Sequence, residues 1–240
     1  GLTVPATIIY SHFINKKVVV INKKTASNTK IIEVNGDVIV PDIKPDIVNI
    51  INANANSYIY KEEVSTGRVR VDGNIDTYIV YLADNGENRS IQTTLNFVET
   101  IEDNTINESC FSKQKICLEN IEAKVLNERK ISIKASLKIK SDVYEKSEIE
   151  IASDFDECGE VEKLKETLDI KSIVGSNKVK TSIKEDISVD NSFEVAEILK
   201  TDIEIANFEN KISYNKVLAK ADANVKIIFL AEDGRIGVTS

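Results

Sequence analysis

The chain has 240 residues, 42% of them hydrophobic and 29% charged, with a net charge of −8. That length supports one large or two modest domains with self-sufficient cores. Five arginines in an acidic chain leave no basic patch to neutralise phosphates, and the longest apolar runs, VVVI at 18–21 and IIFLA at 227–231, are too short for a membrane span, so neither nucleic acid nor a bilayer is an expected partner.

In chain order, residues 1–103 read as an N-terminal segment followed by a first folded unit. Ile47, Ile50 and Ile51 stand at helical spacing after Pro45 and Asp46, where Asp46 is placed to cap, which predicts a short helix. Val69, Val71, Gly73 and Ile75 then alternate with Arg70, Asp72, Asn74 and Asp76, a half-buried strand that turns apolar on both faces from Tyr78 to Leu82. Asp84-Asn85-Gly86 closes it as a tight hairpin, with both central residues expected at positive φ, and SIQTTLNFVE at 90–99 reads as the return strand. The polar, acidic stretch 100–109 marks a boundary.

Residues 104–164 form an expected connecting segment of two further strands, one through 121–140 and one through 143–153. Its KISIKASLKIK at 130–140 puts Ile131, Ile133, Ala135, Leu137 and Ile139 on one face and lysines and serines on the other. No aromatic side chain stands among those lysines to stack a base, so the lysine row reads as a solvated sheet face. GEVEKLKETLDI at 159–170 fits a helix at its start and a strand by its end.

Residues 165–240 repeat the first unit. Val195, Ile198 and Leu199 predict a second short helix, Val217 to Val225 alternate again, and KIIFLAEDGR at 226–235 answers YIVYLADNGE at 78–87. Aligned without a gap at an offset of 148, residues 47–87 and 195–235 share seven identities in 41 positions, among them Val69/Val217, Leu82/Leu230 and Gly86/Gly234. With one residue of slip, ISVDN at 187–191 answers VIVPD at 38–42. A repeat of this kind means duplicated domains of one fold. The fold class expected is mainly β: tandem antiparallel sandwich-like domains with one short helix per repeat. Only RIGVTS follows Gly234, so the second unit reads as truncated at its C-terminal end. Its strand Val217–Leu230 is left short of a return strand, which the middle segment would cover, or a second molecule by self-association through that edge.

No catalytic, cofactor-binding or metal residue can be assigned. Cys110, Cys117 and Cys158 form no CxxC pair, and the only histidine is His12, read as solvated or capping. No nucleophile, base and orienting group come together in the sequence, so no enzyme is expected and no cofactor is implied. Three reduced structural thiols suit a cytoplasmic protein. Tyr58, Tyr60 and Tyr78 are the one aromatic cluster a carbohydrate- or cell-envelope-binding β module would use. Their parity reads as core packing instead, and a row of exposed tyrosines would reverse that.

The blocks 41–86 and 164–234, PDIKPDIVNIINANANSYIYKEEVSTGRVRVDGNIDTYIVYLADNG and LKETLDIK through IIFLAEDG, resemble SPOCS domains, and NERKISIKASLKIKSDVYE resembles the strand pair joining successive copies in that family. The resemblance implies a tandem SPOCS-domain sporulation protein. It would be a non-enzymatic scaffold for protein–protein interaction in spore coat morphogenesis, placed in the mother-cell cytoplasm at the forespore surface. The partners implied are spore coat morphogenetic proteins, including the coat ATPase SpoIVA, which such proteins contact through a C-terminal LysM module. Nothing after Gly234 resembles that module, and the resemblance supplies no binding residue at a numbered position.

Overall fold

A computed structural model describes residues 14–155, 166, 167, 169–173, 175–177, 179 and 181–240. The described residues are all strand and connection, with nine strands: β1 Ile14–Ile39, β2 Ile47–Ser65, β3 Arg68–Ala83, β4 Asn88–Glu102, β5 Cys110–Asn127, β6 Lys130–Phe155, β7 Val195–Ser213, β8 Lys216–Ala231 and β9 Ile236–Thr239. They form three antiparallel sheets, ordered β1-β6-β5, β2-β3-β4 and β7-β8-β9.

The first two sheets stack into a sandwich. Ile131, Ile133, Ala135, Leu137 and Ile139 of β6 are fully buried, and they share one core with Val69, Val71, Ile75, Ile79 and Tyr81 of β3. Period-two alternation over both strands is what sends these side chains to a common interior. The rims close with polar contacts: Lys30 of β1 pairs with Glu99 of β4, and Ser112 of β5 donates to Glu62 of β2. The strands expected as a connecting segment are thus built into the same sandwich as the first unit. A turn at Glu128-Arg129 splits them into β5 and β6, and β6 runs unbroken through Ser141 and Asp142 to Phe155, instead of stopping near 140.

The two short helices are absent. Residues 47–51 and 195–199 open β2 and β7, and each strand carries bulges there, between Ile47/Asn49 and Ile50/Asn52 and between Val195/Glu197 and Ile198/Lys200. An extra residue in a strand converts a spacing of two into a spacing of three. Ile47, Ile50 and Ala53 therefore turn inward at helix-like intervals along an extended chain.

The duplication recurs in the backbone. Ala53↔Ile79, Ala55↔Thr77 and Val64↔Val69 reappear as Thr201↔Ile227, Ile203↔Val225 and Ile212↔Val217, each shifted by the same 148 positions. Leu82↔Asn88 and Ile79↔Ile91 reappear as Leu230↔Ile236 and Ile227↔Thr239. Gly86 and Gly234 both take left-handed φ, at 82° and 83°, and each donates its N–H to a carbonyl three residues back, at 2.9 Å. The expectation that the residue before each glycine also turns left-handed is not met. The loops are longer than two residues, so only the glycine needs that region.

Candidate interaction site

Among the described residues three places stand out beyond the covered core: an internal junction, a cleft and an open sheet.

The junction joins the first sandwich to β7. The carboxylate of Glu197, at the bulge that opens β7, accepts from the Ser90 N–H at 3.0 Å and from the Ser90 hydroxyl at 2.8 Å, and pairs with Lys44. Lys44 also donates to the Ser90 carbonyl at 2.6 Å, and Arg89 Nε lies 3.9 Å from the second carboxylate oxygen. Burial pushes the Glu197 carboxyl up, yet the Lys44 and Ser90 donors win and hold it below the usual glutamate range. Next to it Leu199 is buried. Residue types alone did not single out Glu197, one acidic residue among 39. Its one signal is that it stands opposite Asn49 in the 148-residue offset, where the bulge carries a different side chain in each copy.

The crossover 40–46 between the two stacked sheets is held from the β5–β6 turn. Arg129 spreads its guanidinium over the Lys44 carbonyl and Asp46, both at 2.8 Å, and over the Val40 and Pro41 carbonyls at 3.0 and 2.9 Å. One planar fork thus satisfies four acceptors, which a lysine could not do. Buried Tyr81 adds a bond from its hydroxyl to the Pro45 carbonyl at 3.1 Å, and burial raises its pKa.

The cleft lies where the edges of β2 and β5 meet, about 630 Å³ in volume, with Tyr58, Glu62, Phe111, Ser112 and Gln114 among its walls. Phe111 stacks on Tyr144 at 5.5 Å between ring centres, and the buried Oε1 of Gln114 has no hydrogen-bond partner. Tyr58 and Tyr60 are 43% and 58% exposed, so the reading of these tyrosines as core is overturned. The bulge at Ile59/Lys61 lets Ile59 reach the interior while both neighbours face out.

The open sheet is β7-β8-β9. Val217, the counterpart of fully buried Val69, is 67% exposed, and Ile203 and Ile205 are each 63% exposed. β9 pairs with residues 227–230 of β8, and among the described residues no strand pairs with 216–226 on that edge. Of the two covers expected for this edge, the middle strands do not supply one, because β5 pairs with β6 and β6 with β1 in the first sandwich.

No catalytic group was expected, and among the described residues no cluster of three histidine, cysteine or acidic side chains is placed to share a metal. Cys110 is a buried and Cys117 an exposed free thiol on β5, whereas His12, Cys158 and most of 159–170 lie outside the described residues. No helix among the described residues is long and apolar enough to cross a membrane.

No curated protein and no solved structure matches the chain. A protein-family model does match, described as "SipL, SPOCS domain", over residues 46–126. Those residues are strands β2 to β5 with their connections, including the β2 and β5 walls of the cleft, which Ile173, Gly175 and Ser176 also line, and the Ser90 side of the junction. This stretch of the sandwich is thus similar to a SPOCS domain.

Proposed function

We propose that the chain is a non-enzymatic interaction module of a sporulation protein, with two SPOCS copies in tandem, that helps assemble the spore coat. The SPOCS match at 46–126 carries the reading, and the recurrence of its strand register at 195–239 supports a second copy. The geometry agrees in kind: the molecule offers strand edges and sheet faces, which recognise other chains by β-pairing and apolar packing. On this reading it resembles the SpoIVA-interacting protein L in role. It acts in the mother-cell cytoplasm at the forespore surface, and its partners are coat morphogenetic proteins, the ATPase SpoIVA first among them.

The test is a pull-down of the tagged chain against sporulating-cell lysate with mass spectrometry. Enrichment of SpoIVA or other coat proteins over an unrelated β-sandwich bait is the expected result. Coat proteins at control level would refute it.

A second reading is favoured by one observation. Exposed Tyr58 and Tyr60 beside the β2–β5 cleft, with Glu62 and Gln114 in its walls, supply the aromatic platform and polar groups that saccharides use. Binding of spore-envelope glycan fragments that Tyr58→Ala abolishes would support this envelope-binding alternative.

A further inference from the structure

We infer that the outer face of β2-β3-β4, the side turned away from the sandwich core, is a binding surface for a neutral, hydroxyl-rich glycan chain. The register decides what stands there, because cross-strand partners share a side of the sheet. Asn54 pairs with Tyr78 and Tyr78 with Gln92, and in the next row Asn56, Asp76 and Thr94 line up. The third row is Tyr58, Asn74 and Asn96. The residues between them, Ala55, Ile75, Ile79 and Leu95, are buried in the core, so these rows face out. Side chains on the two outer strands are exposed, apart from half-buried Asn54, and those on β3 are half-buried between them. Asp76 is the only charged side chain in the rows, in a chain of which 29% is charged.

The second copy supplies the control. At the positions of Asn54, Asn56, Asn74 and Tyr78 it carries Asp202, Glu204, Asp222 and Lys226, in the same register. That is the charged array of an ordinary solvated sheet face. Alternation asks only for polar side chains on this side, so the neutral amides and tyrosines of the first copy are a further selection.

Its chemistry matches a sugar chain. A sugar hydroxyl both donates and accepts, and so does a side-chain amide, which can meet it in either sense. Asp76 adds an acceptor-only carboxylate, oriented by the Thr94 hydroxyl that donates to it at 2.7 Å. Asn74 donates to the Tyr58 hydroxyl at 3.2 Å and so ties that ring to the β2 end of its row. Tyrosine offers an apolar ring with a polar tip, on which the C–H face of a sugar packs. Strand spacings make the three rows a floor of roughly 10 Å by 14 Å, the span of a short oligosaccharide. Asp76, Tyr78, Gln92 and Thr94 line a shallow depression of about 280 Å³ in it. Beyond Gln92 on the same side of β4, the Ser90 hydroxyl donates to Glu197 at 2.8 Å, so β7 stands as a wall at that end. A protein partner would call for aliphatic or arginine anchors, and an anionic one for basic groups, and the rows hold neither. The ligand class is that of the envelope-binding alternative, but the surface is a different one from the cleft.

Calorimetric titration of the 240-residue chain with cellohexaose, maltohexaose and chitohexaose tests this, with amide NMR shifts to locate the contact. Binding of at least one of them is expected, with shifts at 54–58, 74–78 and 92–96 and none at 202–206. Asn56→Ala and Gln92→Ala, both at exposed positions, should each weaken it roughly three- to tenfold with an unchanged circular dichroism spectrum. Asn56→Glu, which installs the charge that the second copy carries at that position, should abolish it. Gln114→Ala, in the cleft, should leave it unchanged. A wild-type chain that binds none of the three oligosaccharides would overturn the inference, and a coat protein captured by that chain but not by Asn56→Glu would then make the face a protein contact. Binding that survives Asn56→Glu but is lost with Gln114→Ala would also overturn it, while leaving the envelope-binding alternative at the cleft standing.

Discussion

Two sheets in this molecule share one backbone plan and differ in what covers them. β2-β3-β4 and β7-β8-β9 pair in the same register, and both turn through a left-handed glycine. Val69 nevertheless has no exposed surface, whereas Val217 is 67% exposed. Pairing between consecutive strands is therefore written into local sequence, through alternation, bulges and turn chemistry. Burial depends on a second layer. Where the copies differ in side chains, the differences follow that division. Buried Tyr81 bonds the Pro45 carbonyl, whereas Phe229 meets Phe193 edge-on at 5.5 Å, an apolar substitute for the same tether.

Matched substitutions can break this comparison. The largest effect is expected from Val69→Asp against Val217→Asp. The first buries an unpaired carboxylate and should cost more than about 3 kcal/mol, whereas the second stays within ~0.5 kcal/mol. Urea unfolding followed by circular dichroism reads both, and equal costs would mean that the two faces are covered alike.

The crossovers come next. Arg129 reaches four acceptors around 40–46, whereas in the second copy Arg235 donates to the Ser192 carbonyl at 3.1 Å and lies over the Phe193 ring at 4.5 Å. Arg129→Ala should cost about 1–3 kcal/mol by stranding half-buried carbonyls, and Arg235→Ala less than ~1 kcal/mol. The same unfolding experiment ranks them.

A third pair sharpens the role of the covering strand. A Cβ on Gly73 would lie 2.2 Å from the ring of Phe97 on β4, so Gly73→Ala should cost about 1–3 kcal/mol. Its counterpart Ala221 is exposed and has no β4-like neighbour, and Ala221→Gly should cost under ~1 kcal/mol.

The smallest effect belongs to the junction. Glu197 has a lowered folded-state pKa, so its contribution is present above the unfolded carboxylate pKa and lost as pH falls through the folded value. The Ser90 amide, which donates to Glu197, should shift in the NMR spectrum over that acidic range, and Glu197→Gln should remove the titration. A Ser90 amide that titrates identically in the variant would place the responsible group elsewhere.

Much of the fold was legible in the chain. The alternation of 130–140 marked five side chains, and all five are fully buried. The 148-residue offset carried over to strand register and both glycines. The helices were misread because bulges at the start of β2 and β7 imitate helical spacing, and periodicity alone cannot separate the two. Tyr58 and Tyr60 were misread because parity counted back from inward-facing Val64 ignores the bulge at Ile59/Lys61, which reverses it. β5 and β6 looked like a connector because β1, the second partner of β6, lies some 100 residues away, at register Ile39↔Lys130, and pairing at that distance leaves no local mark. The junction was invisible for a chemical reason. A glutamate on a bulge resembles any surface glutamate until Lys44 and Ser90 are brought against it.

The repeated register is the claim on which the rest depends. The direct measurement is a set of inter-strand NMR contacts in the second sheet, with the first as internal reference. Contacts at Thr201–Ile227 and Ile203–Val225 should appear alongside Ala53–Ile79 and Ala55–Thr77, in the same pattern. A second sheet paired one residue out of step, or helical contacts across 195–199, would contradict it.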